Sequence, residues 1–288
     1  MLKSRGALDL ISAQLSQKEE SLVARLKALD SVIVAYSGGV DSSLLAYYAR
    51  RVLQDAALIV IAVSPSLAQD ELSAARAQAE AFSFNLLEIE TNELDKDEYA
   101  RNDAMRCYVC KGTLFESLQK LAAERGMRHI AYGANVNDLS DFRPGQKAAR
   151  EFSVVSPLLD AGLGKEEIRQ LAYQAGLPSW DRPQAACLSS RFPTFEKVTI
   201  EGLSQVDRAE AFLHSLGFKQ IRVRHHGDIA RIEIDEPELE AFLSDTALLS
   251  RISARLKEFG YRYVTVDLEP YRQGSSNRLT AAVAEAES

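Results

Sequence analysis

The sequence predicts an α/β fold: a doubly wound parallel sheet followed by a small α+β domain. Three observations carry this. Short β-branched runs alternate with amphipathic stretches up to Tyr132. The first run ends in a tight Ser37-Gly38-Gly39 turn that leads straight into a helix. Beyond Phe195 the pattern changes to helix, hairpin, helix and strand. Strands that alternate with helices pair in parallel, with the helices on the faces.

Each element has its own justification. Leu8, Ile11, Leu15, Leu22, Leu26 and Leu29 mark a helical lead-in with a packing role. Val32 to Tyr36 is a buried strand, and Leu44, Leu45, Tyr48 and Val52 give the next stretch a helical apolar face. Leu58 to Val63 is the second strand, ended by Ser64-Pro65-Ser66. Gln69 to Phe84 is helical, Leu86 to Glu90 is the third strand, and His129 to Tyr132 is the fourth. Asn92 to Arg106 is polar and irregular, and Leu114, Leu118 and Leu121 carry a helix to Gly126. After Pro157 and a helix beginning near Lys165, residues 180–191 lose periodicity, and long loops in compact domains are often functional.

The second domain is predicted over 195–272, after a first domain over 1–194, and the tail 273–288 is expected to be disordered. Its hairpin register follows from placing Gly227-Asp228 in a two-residue turn. Val223 then faces Ile232, Ile221 faces Ile234, Arg224 faces Arg231 and Arg222 faces Glu233. Apolar pairs fall on one face and charged pairs on the other, so the register is self-consistent. Pro237 to Phe259 reads as one helix and Tyr261 to Leu268 as a strand, giving an antiparallel sheet.

Composition bounds the function. The 288 residues are 46% hydrophobic and 26% charged, a globular composition. A net charge of −7 argues against a dedicated nucleic-acid binder. The longest apolar run, Ala56 to Val63, is too short to span a bilayer, and the N-terminus lacks a signal-peptide pattern, so a cytoplasmic protein is expected. An odd count of three cysteines argues against a disulfide scaffold.

The chemistry begins at Ser37-Gly38-Gly39-Val40-Asp41-Ser42-Ser43. Glycines let the backbone approach an anion closely, and the following helix start favours phosphate. There is no Walker A lysine. Asp41, the one acid in the turn, makes sense if it holds Mg²⁺. The run resembles the pyrophosphatase loop (PP-loop) of enzymes that split ATP into AMP and pyrophosphate. Ser37, Gly38, Gly39, Asp41 and Ser42 are the candidate ATP and pyrophosphate contacts, with Lys165 as a second phosphate contact or simply a solvated first-turn lysine. Cys107 and Cys110 form C-x-x-C, a half-site for zinc or iron–sulfur or else a redox pair. Cys187 lies in a polar loop near Arg182 and Arg191, where cations favour the nucleophilic thiolate. Arg222, Arg224 and His226 alternate along one strand, with Arg231 joining them across the hairpin, to form either an anion-binding face or an ion-pair ladder.

Together these segments resemble the Lar E family of PP-loop sulfur transferases. The resemblance is carried by Tyr36–Ser42, Arg106-Cys107-Tyr108-x-Cys110-Lys111, Tyr132-Gly133-x-Asn135-x-x-Asp138, Asp141-x-Arg143-Pro144-Gly145, Ser156-Pro157-Leu158, Ala186-Cys187-Leu188-x-Ser190-Arg191, Arg222-Val223-Arg224-His225-His226-Gly227 and Asp267-Leu268-x-x-Tyr271-Arg272. The PP-loop alone is shared with NAD synthetases, GMP synthetases and tRNA thiolases; the Cys187 segment and the R-V-R-H-H-G strand are more specific.

The resemblance implies a PP-loop ATPase domain, ATP and Mg²⁺ as cofactors, and a small-molecule nucleotide, pyridinium-3,5-biscarboxylic acid mononucleotide, as substrate. It implies adenylation of the ring carboxylates and replacement of AMP by sulfur, toward the nickel-pincer nucleotide cofactor of lactate racemase and related enzymes. Arg222 and Arg224 would hold the substrate's phosphate or carboxylate, helped by Ser190 and Arg191, and a homo-oligomer is implied. Some members use the cysteine matching Cys187 as a sacrificial sulfur donor. Others carry three cysteines and a [4Fe-4S] cluster. Cys107, Cys110 and Cys187 make the cluster route the expectation here, with sacrificial donation from Cys187 as the alternative. A tRNA thiolase and a nucleotide- or metal-sensing module without turnover are the competing functions, and neither nucleic acid nor membrane is an expected partner.

Overall fold

The computed structural model describes residues 2–140, 144–183 and 186–272. Asp141, Arg143 and the tail from Gln273 lie outside the described residues, as do the side chains of Leu8 and Ile11. In chain order the elements are α1 (Leu2–Lys27), β1 (Val32–Tyr36), α2 (Val40–Leu53), β2 (Ala57–Val63), α3 (Gln69–Ala81), β3 (Leu86–Glu90), the single turn α4 (Asp97–Ala100), α5 (Arg106–Arg125) and β4 (His129–Tyr132). There follow α6 (Pro144–Glu151), the short α7 (Pro157–Asp160), α8 (Lys165–Gln174), α9 (Ile200–Ser215), β5 (Ile221–His226), β6 (Ile229–Ile234), α10 (Glu236–Ser244), α11 (Thr246–Glu258) and β7 (Tyr263–Val266). The chain packs into two units: Met1–Ser64, Glu71–Asn92 and Cys107–Ala185 in one, and Pro65–Asp70, Glu93–Arg106 and Ala186–Ser288 in the other.

The first unit holds a four-stranded sheet of order β3-β2-β1-β4 with every pairing parallel. Its central strand is buried on both faces, which is why Val32 to Tyr36 reads as a continuous apolar run instead of an alternating one. Ile33, Ala35, Leu58 and Val60 meet Phe115 and Leu118 of α5 on one side. On the other, Tyr36 reaches α3, where its hydroxyl donates to Ala75 O at 3.2 Å and accepts from Gln78 Nε2 at 2.9 Å. The sheet is doubly wound, as the sequence predicts. The chain runs outward from β1 to β2 and β3, then returns to the opposite side of β1 as β4. The order therefore reverses between β1 and β4, the switch point at which such sheets bind ligands.

The second unit is built on a three-stranded sheet of order β5-β6-β7. The hairpin register is the one the sequence predicts, with Arg222 opposite Glu233 and Arg224 opposite Arg231. Two expectations are corrected. The sheet is mixed, because β7 runs parallel to β6. A parallel neighbour needs a crossover, and the helices between the strands supply it. Those helices are also two and not one: Asp245 leaves helical geometry (φ −94°, ψ 89°), and its carboxylate accepts from Leu248 N at 2.9 Å to start α11. Ile221, Val223, Ile232 and Ile234 form one buried core with Leu213, Phe242, Ile252 and Leu256.

Candidate functional site

The Ser37–Ser42 turn links the carboxyl end of β1 to α2. Gly38 adopts φ +77°, a left-handed backbone that favours glycine, and a Cβ there would lie 2.9 Å from Ala75 Cβ. Gly39 is the N-cap of α2, and the helix starts at Val40, slightly earlier than the apolar pattern suggests. Ser42 Oγ accepts from Ser37 N at 3.1 Å and donates to Gly39 O at 3.0 Å, so the hydroxyl closes the turn on itself. Gly133, just past β4, packs edge-on to it: a Cβ at 133 would sit 2.8 Å from Ser42 N. Glycine at this position leaves that amide uncovered. The amides of a helix's first turn have no intrahelical acceptor, so the turn presents donors to an anion.

Asp41 and Lys165 face each other across this turn. Lys165 Nζ donates to Asp41 Oδ2 at 2.6 Å. Lys165 opens α8, and its amide donates to Asn137 Oδ1 at 2.8 Å, so the polar stretch after β4 fixes that helix start. Burial raises the Asp41 carboxyl above its ordinary value, and the bond from Lys165 partly offsets this. Asp41 Oδ1 is buried with no hydrogen-bond partner among the described residues. A buried carboxylate oxygen with a vacant lone pair beside a phosphate-type turn fits Mg²⁺, a hard cation that binds carboxylate and phosphate oxygens.

In the second unit, Cys187 is exposed and stands at the N-cap of a short 3₁₀ turn, Leu188–Arg191. The loop is held from two sides. Leu188 N donates to Ser66 O at 2.9 Å, the Ser189 and Tyr99 hydroxyls are 2.6 Å apart, and Asn102 Nδ2 donates to Pro193 O at 2.7 Å. On the other side Arg191 Nη1 donates to the carbonyls of Ala186 (2.6 Å) and Cys187 (3.0 Å) and to Ser190 Oγ (2.9 Å). The rest of that guanidinium is bidentate on Glu210, with Nε to Oε1 at 2.9 Å and Nη2 to Oε2 at 2.8 Å. Burial opposes ionisation of Glu210, but the Arg191 charge and its bonds outweigh it and hold the carboxyl below its ordinary value.

These placements sort the expected substrate arginines. Arg191 is taken up by Glu210 and the Cys187 loop. Arg224 is buried, with Nη2 on Glu233 Oε2 at 2.7 Å and Nη1 on Ser190 O at 2.9 Å, so it too serves the loop's packing. Arg231 bridges Glu233 and Asp267. Arg222 has no carboxylate partner among the described residues: Nη1 reaches Ile221 O at 2.7 Å, and the guanidinium lies 5.1 Å from the Tyr271 ring centre. Burial and the nearby Arg191 charge lower its pKa from the ordinary guanidinium value. The Glu210 charge acts on it without a hydrogen bond, so among these arginines it is the one with no hydrogen-bonded carboxylate among the described residues.

Cys107 and Cys110 lie in the first two turns of α5, because the helix already begins at Arg106, ahead of the Leu114 from which the apolar pattern marks it. Spaced three apart, they share one helical face. Among the described residues, no three His, Cys, Asp or Glu side chains stand together as a metal-ion site.

The residues that the sequence reading missed are Glu210, Ser66, Tyr99 and Asn102; Glu233 was expected opposite Arg222 in an ion-pair ladder and pairs with Arg224 and Arg231. Glu210 had a readable signal: it sits on the apolar stripe Leu203, Val206, Leu213 of α9, and an acid at a core position needs a buried cation. Ser66, Tyr99 and Asn102 had none, since their partners are about 90 residues or more away in sequence.

Comparison with known proteins agrees with this geometry. The asparagine synthase family matches residues 16–108, the stretch that carries the turn. An uncharacterised protein of Synechocystis sp. is 43% identical over 265 residues, covering 92% of this chain and 98% of that protein. The pyridinium-3,5-bisthiocarboxylic acid mononucleotide synthase of Lactiplantibacillus plantarum is 37% identical over 266 residues, covering 92% and 95%. An uncharacterised protein of Methanocaldococcus jannaschii is 31% identical over 84% of this chain and 90% of its own length. The first two matches are long enough to include turn, cysteine loop and hairpin, and the chain belongs to the Lar E family of PP-loop proteins, that of the Lactiplantibacillus plantarum synthase.

Proposed function

We propose that this protein is an ATP-dependent sulfur transferase acting on pyridinium-3,5-biscarboxylic acid mononucleotide, for nickel-pincer nucleotide cofactor biosynthesis. The observation that carries the reading is an open phosphate-type turn in the same chain as an exposed Cys187 whose carbonyl is clamped by a buried arginine. A ring carboxylate oxygen attacks the α-phosphorus of ATP, the bond to the β-phosphate oxygen breaks, and pyrophosphate leaves. The turn amides, Ser37, Ser42 and Lys165 hold the pyrophosphate. Mg²⁺, when bound by Asp41, neutralises phosphate charge. A sulfur nucleophile then attacks the acyl carbon and AMP departs, since AMP is a far better leaving group than a carboxylate oxygen. Arg222 binds an anionic group of the substrate. Two rounds give a bis-thiocarboxylate, the product named for the Lactiplantibacillus plantarum relative.

Cys187 is the sulfur-bearing group in this reading. Its thiolate forms a thioester with the activated carboxylate. Removal of its α-proton by a base, with cleavage of the Cβ–S bond, releases the thiocarboxylate and leaves dehydroalanine at 187. Each chain then supplies one sulfur, so a bis-thio product consumes two chains. Cys107 and Cys110, on one face of α5, favour the second reading, in which they and Cys187 hold a [4Fe-4S] cluster.

The test uses protein purified without oxygen, with the dicarboxylate nucleotide and MgATP. Pyrophosphate and thiocarboxylate should form together. Loss of one H₂S from the protein mass identifies Cys187 as donor. An unchanged mass with about four irons per chain identifies the cluster route. Absence of both products refutes the function.

A further inference from the structure

Arg182, which the sequence places near Cys187, pairs instead with Glu71 of α3, the helix that packs against the phosphate turn. Helix α3 lies along the turn through Glu71, Ala75 and Gln78, residues spaced so that they share one helical face. Ala75 is the residue against Gly38: a Cβ on the glycine would be 2.9 Å from Ala75 Cβ. Gln78 Nε2 donates to Ser43 Oγ at 2.7 Å, on the α2 side of the turn. Strand β2 leads into α3, which therefore runs back along the sheet from the carboxyl ends of the strands. Glu71 lies one turn N-terminal to Ala75, about 5–6 Å further out. It shares the helical face that Ala75 and Gln78 turn toward Gly38 and Ser43.

Glu71 holds Arg182. Arg182 Nη2 donates to Glu71 Oε1 at 3.0 Å, and both side chains are about one-third exposed or less, at 33% and 27%. The backbone of Arg182 is fixed from the opposite side. Arg169 of α8, one turn beyond Lys165, donates from Nη1 to Trp180 O (2.7 Å) and from Nη2 to Arg182 O (3.2 Å). The segment 178–183 is thus pinned between α8 and α3, the two helices that flank the turn. The Arg182 charge acts on the Tyr36 hydroxyl at the end of β1, and the Arg169 charge acts on Asp41. A guanidinium has five N–H donors, and the bond to Glu71 uses one.

We propose that Arg182 is a further phosphate-binding residue of the turn, held ready by Glu71 and directed at the pyrophosphate portion of the nucleotide. Lys165 and Arg182 then approach the phosphates from opposite flanks. This assignment rests on the ATP-binding reading of the turn and extends it to a residue outside the Ser37–Ser42 motif. A fixed, fork-shaped cation suits phosphate oxygens better than a mobile lysine.

The test is calorimetric titration of the full chain with Mg-pyrophosphate and with MgATP, for wild type, Arg182→Gln, Arg182→Lys and Glu71→Gln. Charge-assisted bonds of this kind predict a Kd raised about ten- to a hundredfold in Arg182→Gln. Arg182→Lys should recover part of that loss. Glu71→Gln should bind within about threefold of wild type, since its amide oxygen can still accept from Arg182 Nη2 and keep the guanidinium in place. If Arg182 merely ties segment 178–183 to α3, Glu71→Gln and Arg182→Gln will weaken binding equally, and the proposal falls. Unchanged pyrophosphate affinity in Arg182→Gln overturns it too, with the ATP reading intact. A wild type that binds neither ligand overturns both.

Discussion

Replacing Glu210 by Gln tests the link between the buried ion pair and the cysteine loop. Glu210 and Arg191 side chains are 8% and 4% exposed, and the carboxylate also accepts from Val223 N at 2.9 Å. Removing one partner of such a pair leaves an uncompensated buried charge, which costs about 3–5 kcal/mol. Gln keeps one acceptor oxygen, so Glu210→Gln belongs at the lower end, and Glu210→Ala at the upper end. Replacing both partners, Arg191→Met with Glu210→Leu, removes the orphaned charge and should recover much of the stability. It should not restore the Cys187 loop, because Arg191 also holds the carbonyls of Ala186 and Cys187. The assay is urea unfolding followed by circular dichroism, alongside the alkylation rate of Cys187 with iodoacetamide. The single variants should unfold at lower urea and label faster. The double variant should regain stability but still label fast. Glu210→Gln within about 0.5 kcal/mol of wild type, the range of ordinary surface changes, would refute the reasoning.

Further outcomes follow from the same structure. Gly38→Ala should cost about 1–2 kcal/mol for a left-handed backbone, plus about 1–3 kcal/mol for overpacking against Ala75. Adding Ala75→Gly should recover only the packing part, as read by urea midpoints. His225, whose ring lies tilted against that of Phe192 at 4.6 Å between centres, is held below its ordinary pKa, chiefly by burial. The unfolded chain therefore takes up this proton at higher pH than the folded one, so stability present at neutral pH is lost as pH falls through the ordinary histidine value, about 6.5. His225→Phe should lose less stability than wild type between pH 7.5 and 5.5, both taken as about one unit either side of that value. Cys187→Ala should still release pyrophosphate with substrate present but form no thiocarboxylate; full sulfur transfer would remove Cys187 from the chemistry. The fragment 195–272 should give a cooperative unfolding transition on its own, because the core residues Leu213, Ile221, Val223, Ile232 and Leu256 all lie within it; a non-cooperative melt would reject the division at 194.

The sequence by itself determined the parts whose physics is local. Val32 to Tyr36 had to be a buried strand because it is apolar without alternation. The Gly-Gly turn had to lie at its carboxyl end, and Gly227-Asp228 fixed the hairpin register because one slip would turn Val223 and Ile232 toward water. Local signals also set the limits of error. The break at Asp245 was hidden inside a continuous helical pattern. The start of α5 at Arg106 lay eight residues ahead of Leu114, the first apolar mark of that helix, because the polar stretch before it masked the boundary.

Tertiary structure alone decided which charges are spent and which are free. Arg191, Arg222 and Arg224 look alike as residues in a motif. Glu210, on another element, neutralises the first, and Glu233, across the hairpin, neutralises the third, leaving Arg222 with no hydrogen-bonded carboxylate among the described residues. Lys165 meets Asp41 across 124 residues, and Arg182 meets Glu71 across 111. A charge buried away from water needs a partner within hydrogen-bond reach, and no spacing rule along the chain says which distant residue supplies it. The folded chain makes that choice when parallel strands bring their carboxyl ends, and the helices beside them, around one turn.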